Sequence, residues 1–194
     1  MLSDAEISRF WAACDKIHPV FASVFRLLLI TGQRKSEFAG MRWDELNGDV
    51  LDLPGARTKN GLPHLVPLPP LAMETIMAQP RIEGSRFVFS TTGKTSISGW
   101  TKIKRDLDKA MGNPPPWVIH DLRRTAVTGM NERGIPPQVV EKIVNHQSGH
   151  LAGVAGVYNK SELLDERRKA LRRWATHISG LVSGDTKVIP YRSR

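Results

Sequence analysis

The stretch Pro19-Val20-Phe21-Ala22-Ser23-Val24-Phe25-Arg26-Leu27-Leu28-Leu29-Ile30-Thr31-Gly32-Gln33-Arg34-Lys35-Ser36-Glu37 holds the deepest helix the chain predicts and its first group of chemical interest. Proline suits a first helical turn, where its missing N–H costs nothing. Phe21, Val24, Phe25, Leu28 and Leu29 leave the helix apolar nearly all round, so it is expected at the centre of the core. Gly32 stops it, and the chain restarts at once as a short third helix over Gln33–Met41. Arg34 then lies near a helix start, where backbone N–H groups and the dipole favour an anion. Its planar fork matches a phosphate, and Glu37, three residues on, is placed to brace it. Alone, the pattern equals an ordinary helix junction with a surface arginine.

On the N-terminal side, Ser3 and Glu6 form a capping box with Leu2 and Ile7 at staple positions, so a first helix opens there. On the C-terminal side, Val50–Leu53 and His64–Leu68 read as strands around a turn containing Asn60-Gly61. The prolines of the second strand suit an edge. Leu71–Gln79 returns to helix, and Phe87–Ser90 reads as one more short strand. From Ser98 onward the chain reads as helical, over about Ser98–Met111, His120–Arg133, Pro136–Val144, Gly153–Tyr158 and Ser161–Leu181. In the last segment Leu164, Leu171, Trp174, Ile178 and Leu181 form an apolar stripe opposite Arg167, Arg168, Arg172 and Arg173. The fold class is therefore mainly α with a small antiparallel β-sheet (α+β).

The 194 residues suit one large domain, or one domain plus a tail, with 40% hydrophobic residues to build its core. No apolar run approaches the length that spans a membrane, and Met1-Leu2-Ser3-Asp4 is no signal peptide, so a cytoplasmic protein is expected. Lysine and arginine number 28 against 19 acids, a formal net charge of +9, which favours polyanionic partners. Cys14 is the single cysteine, so neither an intrachain disulfide nor a thiolate metal cluster can form; its apolar neighbours place it in the core.

Three further segments carry candidate chemistry. Lys59, in Arg57-Thr58-Lys59-Asn60-Gly61, sits at the hairpin tip, where a lysine is usually just solvated but can also reach into a groove and donate a proton. His120 and Arg123, in His120-Asp121-Leu122-Arg123-Arg124-Thr125, lie three apart at a helix start and can face one ligand; in so basic a chain such a pair also arises by chance. Asn145-His146 is followed at a distance by Val157-Tyr158-Asn159. Of the two tyrosines, Tyr158 and Tyr191, the former lies in a glycine-containing stretch between helices, where the plain reading is a half-buried packing residue.

Taken in order, Thr-Gly-x-Arg-x-x-Glu, a hairpin lysine, His-x-Leu-Arg-Arg-Thr, x-His and a tyrosine resemble the tyrosine recombinases, most nearly the integrases of prophages and genomic islands. The resemblance covers Leu2 to Leu181. It implies the catalytic-domain fold of that family over residues 1–181, a C-terminal tail over 182–194, and absence of the family's N-terminal DNA-binding modules. Asn145 stands where much of the family has glycine, and the spacing from His146 to Tyr158 is longer than in the simplest members. The implied activity is cleavage and rejoining of DNA for integration or excision of a mobile element, through a 3′-phosphotyrosyl bond. Tyr158 is the implied nucleophile, Arg34 and Arg123 the phosphate clamp, Lys59 the general acid, His120 the assistant at the tyrosine proton and His146 a hydrogen-bonding partner of the phosphate, with Glu37 supporting. No metal or nucleotide cofactor is implied. The implied partners are attachment-site double-stranded DNA, other protomers in a tetramer, and host DNA-bending proteins. Arg57, Lys94, Lys102, Lys104, Arg105 and Arg124 are expected against the DNA backbone. Two rivals share the basic face: a type IB topoisomerase, with the same chemistry, and an idle DNA-binding fragment, which would need no tyrosine.

Overall fold

A computed structural model describes residues 1–146 and 163–184. Helix α1 (Asp4–Cys14) starts on the expected capping box: the Ser3 N–H donates to Glu6 Oε2 at 2.8 Å and the Glu6 N–H to Ser3 Oγ at 3.4 Å. Helix α2 (Pro19–Thr31) is buried at ten of its thirteen residues and ends at Gly32, whose N–H donates to Leu28 O. The glycine is required twice over. Its φ is +67°, which penalises a side chain, and a Cβ there would stand 3.3 Å from Val144 Cγ1.

After α3 (Lys35–Ala39) and a 3₁₀ turn at Trp43–Glu45 come strands β1 (Leu46–Asn47), β2 (Val50–Leu53) and β3 (His64–Pro67). They form an antiparallel sheet in the order β1-β2-β3, with Val50 opposite Pro67 and Leu53 opposite His64. The proline-bearing strand is therefore an edge, as expected. Helices α4 (Pro70–Met77), α5 (Trp100–Ala110), α6 (His120–Glu132), α7 (Pro137–Ile143) and α8 (Leu164–Ser183) follow among the described residues. They surround α2, which touches α1, α3, α4, α6 and α8. Cys14 is fully buried, and burial pushes its thiol up to about 12. Among the described residues no helix is long and apolar enough to cross a membrane.

Three expectations are corrected, and one strand is new. The third helix is shorter than Gln33–Met41, because Glu37 caps it from inside its first turn. Strand β1 was not foreseen. Phe87–Ser90 forms no strand: Phe87 makes one isolated bridge with Arg42, and Ser90 Oγ donates to Thr95 O at 2.6 Å, turning the chain aside. Arg167 does not share the solvent face of α8; it is 3% exposed, and its Nη1 donates to Leu65 O of the edge strand at 2.9 Å. The α8 stripe is spent within the chain, since Leu171, Trp174 and Ile178 are buried and α8 packs on α1, α2 and α7. The Trp174 indole N–H donates to Leu29 O at 2.9 Å, fastening α8 to the central helix. The helix expected at Gly153–Tyr158 lies outside the described residues.

Candidate active site

Glu37 organises the first part of the site. It is 1% exposed, and its carboxylate accepts the Arg34 backbone N–H at 3.2 Å, Arg34 Nη1 at 3.1 Å and the Lys59 backbone N–H at 3.4 Å. One acid thus braces the arginine three residues before it and also ties down the turn that carries Lys59. The Lys59 side chain remains exposed. The turn beneath it is tight: a Cβ on Gly55 would stand 2.3 Å from the Gly61 carbonyl oxygen, so glycine alone fits there.

Arg123 organises the second part. It projects from α6 into the protein, 7% exposed, and donates to Gly32 O at 2.9 Å and to Val144 O at 2.6 Å. Those bonds join the glycine that ends α2 to the residue two before His146. Burial, then the charge of Arg34, push the guanidinium down to about 10, with Glu37 opposing. It stays cationic at neutral pH. Two arginines in electrostatic contact with one carboxylate leave a net positive pocket, a natural seat for an anion.

His120 opens α6 on the exposed side of Arg123. Burial of its ring, then the charges of Arg123, Arg124 and Arg34, hold its pKa below the usual imidazole value. It is therefore neutral at pH 7 and able to accept a proton. His120 and Arg123 form the divide between two hollows. One is lined by Leu28, Gln33, Lys35 and Ile119; the other, of about 410 Å³, reaches Arg124, Val144 and His146. His146 is exposed, its backbone N–H donating to Glu141 O at 3.0 Å and its ring near the Glu141 carboxylate.

Glu37 thus ties Arg34 to the turn of Lys59, His120, Arg123 and His146 line one hollow, and the charge of Arg34 reaches both His120 and Arg123. Tyr158 lies outside the described residues. The residues expected against DNA divide. Lys94, Lys102 and Arg105 are exposed, and Arg124 keeps 62% of its side chain exposed while pairing with Asp121 at 2.9 Å. Lys104 is held by Asp108 at 2.7 Å and lies over the Trp117 ring. Arg57 turns inward, paired with Glu45 and donating to Glu37 O at 2.6 Å, so it buttresses the site from behind.

Sequence reasoning missed Gln33, His64, Asn60 and Asn145. Gln33 Nε2 and His64 Nε2 meet the Ile143 carbonyl at 2.7 and 2.9 Å, and Asn60 and Asn145 bond to each other. The Asn60-Gly61 turn and the asparagine at 145 in place of the usual glycine were the signals that pointed at this pair.

Residues 1–162 match the model of the Phage integrase family. Prophage integrase IntA of Escherichia coli strain K12 is 32% identical over 164 residues, covering 83% of this chain and 39% of the relative. The chain spans about two fifths of the length of the curated relatives it matches. The lambda integrase catalytic core superposes with a TM-score of 0.62 at 20% identity, over 75% of this chain and 94% of that one. A lambda integrase tetramer bound to a Holliday junction matches with a TM-score of 0.57 at 17% identity, over 75% of this chain and 46% of the other.

Proposed function

The chain belongs to the phage integrase family, and from that membership and its convergent cationic face we propose that it is the catalytic unit of a site-specific DNA recombinase. One observation carries this reading: Arg123 reaches across the core to bond both Gly32 and Val144, so that it shares a hollow of about 410 Å³ with His120 and His146 while its charge meets that of Arg34. On this reading residues 1–181 are the catalytic domain and 182–194 a tail. The partners are attachment-site duplex DNA, further protomers up to a tetramer, and host DNA-bending proteins.

The reaction is phosphoryl transfer. Tyr158 Oη attacks the scissile phosphorus while the bond from phosphorus to the 5′ oxygen breaks. A phenol with its ordinary pKa of about 10 is a poor nucleophile at neutral pH. His120, neutral there, takes its proton. Arg34 and Arg123 hold the non-bridging oxygens and balance the charge that builds on them, the dominant contribution in this reaction class. Lys59, free-ended on its turn, gives a proton to the leaving 5′ oxygen, and His146 hydrogen-bonds a phosphate oxygen. The phosphotyrosyl bond conserves the energy of the broken linkage, so the 5′-hydroxyl of another strand can attack it and return the phenol. Lys94, Lys102, Arg105 and Arg124 contact the backbone on either side of the site.

The test is covalent capture. The chain is incubated with a pool of nicked duplexes of randomised sequence, in which cleavage releases a short fragment and traps the adduct. Adducts resistant to denaturant are recovered, and the selected duplex becomes the substrate. Wild type and Tyr191→Phe should form the adduct and Tyr158→Phe should not. An adduct with Tyr158→Phe, or none with wild type, overturns the reading.

A further inference from the structure

The last carbonyls of a helix have no partners within it. At the end of α7 they are taken up from outside. Ile143 O accepts from Gln33 and His64, Val144 O accepts from Arg123, and Asn145 O accepts Asn60 Nδ2 at 3.1 Å. The last capture differs from the others because it is reciprocal. Asn60 Nδ2 also donates to Asn145 Oδ1 at 3.1 Å, and Asn145 Nδ2 donates back to Asn60 Oδ1 at 3.2 Å.

The amide orientations are dictated by their surroundings. The Leu62 N–H can only donate, and it meets Asn60 Oδ1 at 3.2 Å. That places Asn60 Nδ2 toward the Asn145 carbonyl, which can only accept. Asn145 itself has φ +49°, a left-handed conformation that asparagine and glycine tolerate best. Glycine would allow the same backbone here, but only asparagine adds an amide. Asn60 directly follows Lys59, and Asn145 directly precedes His146.

We propose that Asn60 and Asn145 are positioning residues, whose reciprocal amide pair couples the turn bearing Lys59 to the backbone leading into His146. Proton donor and phosphate-binding imidazole are then presented as one unit. The proposal rests on the reading of Lys59 as general acid, so the test must separate failure of one from failure of the other.

Single-turnover cleavage of the captured duplex is compared with cleavage of the same duplex carrying sulfur in place of the scissile 5′ oxygen. A thiolate leaves without protonation, so the sulfur substrate bypasses the general acid. Lys59→Ala should cleave the oxygen substrate slowly and the sulfur substrate at the wild-type rate. Asn60→Ala should slow the oxygen substrate by ~10²-fold, the order of loss that follows about 1 Å of misplacement, and should also regain the wild-type rate with sulfur. Asn60→Asp keeps the acceptor for Leu62, removes the donor and sets a negative charge against the Asn145 oxygens. Asn145→Gly keeps the left-handed backbone and removes only the amide. Both should share the Asn60→Ala pattern, and combining Asn60→Asp with Asn145→Gly should add little to either. Wild-type rates in the three asparagine variants, or equal slowing on both substrates, overturn the coupling alone if sulfur rescues Lys59→Ala. If it does not, the general-acid reading of Lys59 falls and the proposal falls with it.

Discussion

Removal of the Glu37 carboxylate should cost stability in a way that added phosphate restores. The side chain is 1% exposed and accepts three N–H groups, two of them from Arg34, whose own side chain keeps 17% of its surface exposed. Hydrogen bonds to a charged group contribute about 1.5–3 kcal/mol, and breaking a buried ion pair costs about 3–5 kcal/mol. Discounted for the partial exposure of Arg34, Glu37→Ala should cost about 2–3 kcal/mol. For a chain of this size that is a fall of about 5–10 °C in Tm. Glu37→Gln keeps an acceptor and loses the charge, so its loss should be smaller. Both variants leave Arg34 and Arg123 without their counterion. Inorganic phosphate, which binds the folded state, should therefore raise their Tm more than that of wild type, while chloride at equal ionic strength should not. The assay is thermal unfolding followed by circular dichroism, with and without phosphate. An unchanged Tm for Glu37→Ala, or a phosphate response equal to that of wild type, would refute the placement of this acid as the counter-charge of the pocket.

Three further outcomes follow from buried groups. Burial, then the charge of Arg167, push His64 down to about 4 from an ordinary value of 6.5. The unfolded chain thus takes up the proton first as pH falls. Stability is full above pH 6.5 and is lost by about 3 kcal/mol down to pH 4; urea midpoints across that window should show the slope, and His64→Gln should flatten it. A Cβ on Gly129 would lie 2.5 Å from the Trp174 ring, which is itself buried. Gly129→Ala should therefore destabilise by about 1–3 kcal/mol in urea, the strain exceeding the helical gain of about 0.5–1 kcal/mol. The Cys14 thiol, held at about 12 in the core, should react with a disulfide reagent only once the protein unfolds; rapid labelling of the native protein would contradict its burial.

The central helix was legible because its apolarity runs all round and proline and glycine mark its ends; no tertiary contact is needed to see either. The hairpin was legible from its turn and alternation. Phe87–Ser90 misled because an apolar run says that a segment is buried, not that a partner strand is free to pair with it. Arg167 misled because charge patterning assigns arginine to water, whereas the edge carbonyl of Leu65 draws it inward. The acid–arginine pair Arg34–Glu37 is local and could be anticipated at i, i+3. The grip on the end of α7 could not, since its donors and acceptors lie 79 to 110 residues apart for His64, Asn60 and Gln33. The cationic motifs were found only in combination, since each is commonplace in a chain of net charge +9.

The oxygens that receive Gln33, His64, Arg123 and Asn60 belong to the peptide backbone, which mutation leaves in place. An amide, imidazole or guanidinium lost from any of these four positions strands an acceptor that water reaches poorly, with nothing at the acceptor's own position to adjust. Drift at these sites is therefore constrained to exchange one donor for another of similar reach, and a change at one position should be tolerated best alongside a compensating change at its neighbour on the same carbonyl. Gln33 and His64, which share Ile143, are the pair in which such exchange has room to occur; Arg123, among the described residues alone on Val144, has none.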